Sequence, residues 1–324
     1  MRSIFFLMSV ALFAAEAEKC VFLPSLPSSH FSPQFSFLYW GCAEKGLDFA
    51  VSTNSSSPVT EMRVHQPNFE WSPAFRLLLG FGLPIDGWSI DCSYSFFSKN
   101  KKERVNQQSM SVWTSPSAFQ GNNLFVRWQK ASSKWKIFAN FFDLFLSDEF
   151  CNGAVLSFQP AFGLRSSLFY QDYDLSYKNG TQSSVVKMKN DSFHLGPSFS
   201  FVTNWAFTSS WSLVGSLTGA VLASNFDVSR EETDVMPLSE ETYRFKEKFL
   251  ACRPQAGGRL GFSWKVLDKK TSYELAASYE AQIWWKQNMF LRHIDSVNFQ
   301  GQNLAPVQGD LFFQGLTVDL RLNY

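Results

Sequence analysis

The sequence predicts an all-β protein, a single antiparallel transmembrane β-barrel of about ten strands (ten to twelve), with short turns at one end and long loops at the other. Three observations carry the prediction. Charged and apolar residues segregate onto opposite parities along the chain, as on the two faces of a strand. The composition is rich in aromatics and poor in charge. Short and long connections alternate from one end of the chain to the other.

The composition excludes several classes first. The chain has 324 residues, and 29 Lys+Arg stand against 28 Asp+Glu. A net charge of +1 supplies no long-range field for nucleic acid, so no nucleic-acid partner is expected. Charged residues make up 18% and aromatics 17%, with 35 Phe, whereas soluble domains carry roughly 25% charge. A helix needs about 20 consecutive apolar residues to span a bilayer, and nothing after the first fifteen positions approaches that. Helical transporters and channels are thereby excluded, which leaves a large β globule or a membrane barrel.

The N-terminus reads as an export signal. Arg2 precedes an apolar core from Ile4 to Ala15, and Ala15-Glu16-Ala17 is a small-x-small cleavage pattern. Residues 1–17 are therefore expected to be a cleaved signal peptide, 18–34 a periplasmic N-terminal arm, and 35–324 the barrel. Glu18 and Lys19 before Cys20 argue against a lipidation site. Export also allows thiols to oxidise. The five cysteines, Cys20, Cys42, Cys92, Cys151 and Cys252, contain no CxxC spacing, which removes a zinc or thioredoxin-like reading.

Parity is clearest in the last third. From Leu250 to Val266 the even positions carry no charge, and Arg253, Arg259 and Lys265 share the odd ones. From Tyr273 to Trp285 the odd positions are apolar, with Glu274, Glu280 and Lys286 on even ones. The final run sets Leu316, Val318, Leu320, Leu322 and Tyr324 against Thr317, Asp319, Arg321 and Asn323. Continuous apolar faces rich in Phe, Trp and Tyr suit lipid, where an Arg or Lys costs roughly 2–4 kcal/mol at the midplane. A terminal aromatic preceded by apolar residues at every second position is similar to the assembly signal of outer-membrane barrels. Leu316, Val318, Leu320, Leu322 and Tyr324 are thus the expected assembly signal, with the barrel-assembly machinery and outer-membrane lipid as partners.

Turn chemistry places short connections at Pro84–Gly87, Ser147–Gly153, Thr208–Ser210 and Asp268–Thr271. Long polar connections run from Asn54 to Pro73, Lys99 to Ser133, Lys178 to Asn190, Ser229 to Lys248 and Gln287 to Gly309. With Phe35–Thr53 read as one strand bulged near Glu44-Lys45-Gly46, ten strands result. They cover approximately 35–53, 74–83, 87–98, 134–146, 154–177, 191–206, 211–228, 249–267, 272–286 and 310–324. An extra pair near 111–113 and 124–128 would make twelve. No fixed-period repeat or linker divides the chain, so one domain follows the arm.

Several segments resemble one family: FLYWGCAEKGLDFA (37–50), FEWSPAFR (69–76), LPIDGWSIDCSYSFF (83–97), Asn204-Trp205 with Trp211-Ser212-Leu213, YEAQIWW (279–285) and QGDLFFQGLTVDLRLNY (308–324). In order and spacing they are similar to the chlamydial and legionella-type major outer membrane proteins over nearly the whole mature chain. The resemblance implies a pore-forming protein of the bacterial outer membrane and, for the chlamydial branch, an envelope stiffened by disulfides between proteins.

On that reading lumen electrostatics replace active-site chemistry. Polar parity assigns Arg76, Asp91, Arg165, Arg253, Arg259, Lys265, Glu274, Glu280, Asp319 and Arg321 to the pore lining. Six basic residues against four acidic ones predict at most weak anion selectivity for ions and small solutes. In a narrow barrel such residues also pair across strands and fill the interior, and the connection Lys99–Ser133 is long enough to fold inward. Cys20 and Cys151 fall on the periplasmic side and are the disulfide candidates, to each other or to neighbours. A homo-oligomer or cysteine-linked envelope proteins are the protein partners this suggests. Cys92 and Cys252 share the apolar parity and are expected to face lipid. No cofactor or metal is expected, and no enzyme: His30, His65, His194 and His293 have no acidic or nucleophile motif beside them, and Asp143, Asp148 and Glu149 read as surface carboxylates near a turn. The alternative function is a surface adhesin or structural coat protein, with a plugged barrel as anchor and long loops that bind.

Overall fold

The computed structural model describes residues 31–56, 59–85, 87–114, 127–152, 155–237, 239–268, 271–293 and 304–323. The signal peptide, most of the arm with His30 and Cys20, and Tyr324 lie outside them. Among the described residues seventeen strands follow in order: β1 (Phe31–Glu44), β2 (Ala50–Ser56), β3 (Val59–His65), β4 (Trp71–Gly82), β5 (Trp88–Val105), β6 (Ser109–Ser111), β7 (Arg127–Trp128), β8 (Lys130–Asp148), β9 (Phe150–Asn152), β10 (Leu156–Asn179), β11 (Gln182–Ala206), β12 (Trp211–Met236), β13 (Ser239–Asp268), β14 (Thr271–Asn288), β15 (Leu291–His293), β16 (Leu304–Pro306) and β17 (Gly309–Asn323). No helix occurs among the described residues.

Ten of these strands form a closed antiparallel wall in the order β1-β4-β5-β8-β10-β11-β12-β13-β14-β17. The pairing of β17 with β1, for example Leu320 with Phe35 and Leu316 with Tyr39, joins the C-terminal strand to the first and leaves no free edge. Adjacent pairs meet at short turns on one end, here the turn end, and at hairpins or longer connections on the other, the hairpin end. Phe31 and Asn323, the first and last described residues, both lie at the turn end.

The outward parity explains why this wall sits in lipid. Phe162 is 73% exposed and Leu250 75%, and Phe, Leu, Trp and Tyr side chains continue around every strand. Each fully exposed side chain of this size would cost about 1.5–3 kcal/mol in water relative to burial. A continuous apolar belt also far exceeds the few hundred Å² that a soluble monomer exposes. Outward charge begins where the belt ends, at Lys136 on β8, Asp172 on β10, Lys189 and Asp191 on β11, Asp227 on β12 and Lys248 on β13. Leu316, Val318 and Leu320 face outward within the belt on β17.

Three expectations about the connections change. The first strand ends at Glu44 rather than near residue 53: Gly46, at φ +85°, reverses the chain, and Ala50 starts β2 in a separate sheet. That sheet, ordered β3-β2-β6-β7, takes up both pieces of the suggested extra pair, so the wall keeps ten strands. Residues 178–190 and 229–248 are not loops. Their polar alternation continues the strands to tight hairpin turns, with Gly180 at φ +59° and small, apolar or paired side chains such as Val186, Met188, Val228 and Arg230 on the inner face. Strands β11, β12 and β13 reach 25, 26 and 30 residues, well past the roughly 9–11 needed to cross a bilayer. The barrel therefore stands beyond the membrane at its hairpin end. At the other boundary, β1 starts at Phe31, a few residues before the expected start at 35.

Candidate functional site: the barrel lumen

The inward parity builds two different compartments. In the turn-end half, small Ser, Gly and Thr residues leave room for long charged side chains. Arg76 on β4 reaches past β1 and β17 to Glu280 on β14 through two bonds of 3.1 and 2.9 Å. Its Nε donates to Ser95 at 2.9 Å. Glu280 also accepts from Gln282 at 2.8 Å and Thr317 at 3.3 Å. Arg165 on β10 grips Asp143 on β8 at 2.6 and 3.0 Å and reaches Gln255 on β13. Arg259 pairs with Asp319, and Arg321 donates to Ser32 at 3.1 Å.

These groups surround a cavity of about 190 Å³ whose charged lining is Arg76, Arg165 and Arg259 against Asp91, Asp143 and Glu280. Several buried polar atoms at or beside it, Arg259 Nε, Gln255 Nε2, Gln282 Oε1 and Asp319 Oδ1, have no protein partner within hydrogen-bonding reach. Buried polar groups left without protein partners are satisfied by water, so this compartment is chemically suited to be wet.

Above it the lumen is closed by aromatic rings. The strands five places apart around the ten-stranded wall are diametrically opposed, and their side chains touch. Phe141 on β8 lies 5.5 Å, centroid to centroid, from Trp284 on β14, and Phe169 on β10 lies 6.4 Å from Phe313 on β17. Phe97 on β5 and Trp40 on β1 complete the layer against Phe313 at 5.3 and 6.0 Å. His194 on β11 packs against Trp284 at 5.8 Å and Phe226 on β12 at 5.5 Å. Arg76 underlies the layer 5.5 Å from the Trp40 ring, and the Arg253 guanidinium stands 5.4 Å from the Phe226 ring.

Beyond the layer the connecting segments descend into the lumen. Leu47, Phe49, Trp113, Met289, Phe290 and Leu291 are buried there. Tyr173 and Tyr177 donate to the carbonyls of Leu47 and Phe49 at 2.5 and 2.6 Å. Arg230 donates to the carbonyls of Trp113 and Leu291 and to Glu232, and His293 lies 2.9 Å from Glu232. The inward fold expected of Lys99–Ser133 occurs over residues 109–114; residues 115–126 lie outside the described ones. Farther along the hairpin end, burial and the neighbouring Glu232 push the Asp234 carboxyl up to about 7.

Of the ten residues assigned to the lining, Arg76, Asp91, Arg165, Arg259 and Glu280 meet around the cavity. Asp319 and Arg321 stand on the inward parity of β17, and Lys265 faces Glu274 across strands near the turn end, with Arg321 opposite Glu274. Arg253 sits higher, in the aromatic layer. Asp143 is a correction: it is buried and ion-paired in the lumen, not at the surface. Its alternation with Phe142, Leu144 and Leu146 was the available signal. His293 likewise has a carboxylate beside it, Glu232, although that pair is buried under Arg230 rather than open to a substrate. His194 contacts Ser224 at 2.6 Å and Ser192 at 2.9 Å inside the closed layer. Cys42, Cys92 and Cys252 are free thiols; Cys42 is buried on the inner face of β1 and Cys252 is exposed on the outer wall. Cys151 lies in β9 at the turn end, and Cys20 is outside the described residues.

No curated protein matches the chain. Among solved structures, the outer membrane protease OmpT of Escherichia coli is 12% identical over 95% of this chain and 99% of its own, with a TM-score of 0.46. OprG of Pseudomonas aeruginosa is 9% identical over 91% and 97%, at 0.30. The Pseudomonas putida toluene transporter TodX is 7% identical over 97% and 93%, at 0.26. No activity is carried over from likenesses this loose. The family model described as the Legionella pneumophila major outer membrane protein precursor matches residues 25–324, and the chain belongs to that family of outer-membrane proteins.

Proposed function

We propose that this protein is an outer-membrane pore of the porin type for ions and small solutes, with its pathway constricted at mid-height by the aromatic layer. The observation that carries the reading is the charged compartment at the turn end, whose unpartnered polar atoms call for water. A hydrophobic constriction beside a wet compartment gates by dewetting. With three arginines facing three carboxylates at the cavity, the selectivity expected is at most a weak anion preference.

The test is single-channel conductance of the refolded mature chain in a planar bilayer, with the reversal potential under a salt gradient. Rare or small steps are expected of the wild type. The double variant Phe141→Ala/Trp284→Ala removes rings that meet across the diameter and is expected to give larger, more frequent steps. Wild type and variant that both fold, by their heat-modifiable gel mobility, and both give no steps would refute the pore reading.

The clamped segments around Trp113 and Phe290 favour a second reading, in which the barrel is a closed anchor presenting its long hairpins as a surface coat or adhesin. We also propose export through cleavage after Ala17 and disulfide bonding of Cys20 and Cys151, to each other or to neighbouring envelope proteins. The position of Cys151 in β9, at the end facing the periplasm on this reading, supports that cross-link.

A further inference from the structure

A second feature lies on the outer wall, just beyond the lipid-facing belt. On β8 the outward positions, from the turn end, read Leu146, Leu144, Phe142, Asn140, Phe138, Lys136 and Lys134. At Lys134 a depression of about 250 Å³ opens across β5, β8, β10 and β11, lined by Lys102, Arg104, Lys134 and Lys187 with the hydroxyls of Ser132 and Ser176. The register makes it a grid. Lys102 faces Lys134, Lys134 faces Asp174, and Asp174 faces Lys187; in the next row Arg104 faces Ser132, which faces Ser176.

The charge in this grid is unbalanced. Directly opposed side chains sit about 4.5–5.5 Å apart at Cβ, and like charges so placed destabilise a sheet. Lys102 and Lys134 are such a pair, and the depression's lining sets four cations against two carboxylates, Asp174 and Glu103. Among the described residues none of Lys102, Arg104, Lys134 and Lys187 forms an ion pair, whereas the exposed Lys246 and Lys248 on β13 both reach Asp227. An excess of cations around a concave surface with hydroxyls between them suits an anion with several oxygens.

Height selects which anion. Lys134 lies four residues past Phe138, about 13 Å along the strand and less along the tilted barrel axis. The cations therefore stand where lipid headgroups meet a wall whose next outward residues contact acyl chains. We propose that this depression binds the phosphorylated headgroup of an outer-leaflet glycolipid, with phosphate oxygens between Lys102 and Lys134 and with Arg104 and Lys187 flanking them. The proposal rests on placement in the outer membrane, which the family establishes, and is independent of whether the lumen conducts.

The test is native mass spectrometry of the full mature chain in detergent micelles, titrated with a hexa-acylated, bis-phosphorylated lipid A and with the same lipid after dephosphorylation. Wild type is expected to retain the phosphorylated lipid, and K102Q/K134Q to bind it about tenfold or more weakly. Both proteins are expected to bind the dephosphorylated lipid equally poorly. Heat-modifiable gel mobility checks that the variant, altered only on the outer wall, is folded. Equal affinity of variant and wild type, or retention of the dephosphorylated lipid by wild type, would overturn the proposal. Displacement of the lipid by millimolar inorganic phosphate would also overturn it, in favour of a site for free anions.

Discussion

Removing Arg76 leaves a carboxylate stranded in the lumen, and the structure indicates how much that costs. The Arg76–Glu280 pair is bidentate, at 2.9 and 3.1 Å, with side chains only 15% and 9% exposed. Breaking a buried pair from one side costs about 3–5 kcal/mol, mostly for the charge left behind. Here Gln282 and Thr317 still donate to Glu280, and the cavity beside it admits water, so Arg76→Met is expected at the low end, about 3 kcal/mol. Replacing both residues by Met removes both desolvated charges, and the double variant is expected within about 1 kcal/mol of wild type. Urea titration of folding into phosphocholine vesicles, followed by tryptophan fluorescence, gives the three free energies and the coupling between the sites. If Arg76→Met alone lies within about 0.5 kcal/mol of wild type, the pair behaves as a solvated surface ion pair, and the account of this compartment as a set of buried ion pairs is wrong.

Asp234 supplies a pH dependence outside the membrane. Its folded pKa of about 7 stands above the ordinary value of 3.8, owing to burial and then to Glu232. The stability it contributes is full below about pH 4 and is lost as pH rises through 7. Amide exchange in the β12–β13 hairpin, corrected for intrinsic rates, is expected to quicken between about pH 5.5 and pH 8.5 and to lose that dependence in Asp234→Asn; a flat wild-type profile would contradict it. For the disulfide proposal, non-reducing gels of envelopes are expected to show oligomers, or a monomer of altered mobility, that revert on reduction and are absent in Cys20→Ser/Cys151→Ser, and a monomer band insensitive to reductant would dispose of it.

The wall was legible because its physics is periodic. A lipid-facing strand cannot hide a charge on its outer face, so Arg253, Arg259, Lys265, Glu274, Glu280, Asp319 and Arg321 declare the inner face of three strands from spacing alone. The same rule failed where both faces are aromatic. Phe141 and Phe142 are adjacent and chemically identical, yet one meets Trp284 across the lumen and the other meets lipid. Nothing in residue type separates a plug ring from a belt ring. Strand ends were misread for a related reason: beyond the belt the outward positions become polar, so the alternation of 182–190 and 229–236 resembles loop composition although the ladder continues. The inserted segments were the least legible, because the burial of Trp113 and Phe290 depends on distant partners such as Tyr173, 60 residues from Trp113 in sequence.

Closure of the lumen has two parts with different consequences. The aromatic layer consists of side chains on the wall itself, and ring rotations within it leave the backbone in place. The segments above it are held by backbone carbonyls, and one side chain gathers two of them. Arg230, fully buried on β12, donates to Trp113 from the β6–β7 connection and to Leu291 from β15, while Glu232 neutralises it at 2.7 Å and is itself 2.9 Å from His293. If those segments leave the lumen, Arg230 and Glu232 lose their surroundings together, and each charge costs several kcal/mol unless water replaces the lost carbonyls. Opening from the hairpin end is thus coupled to hydration of this cluster, whereas the turn-end compartment requires no such step to fill. The two ends of one lumen are unequal by construction: a solute entering from the turn end meets paired charges and then a ring layer, and one entering from the hairpin end meets a clamp on the backbone first.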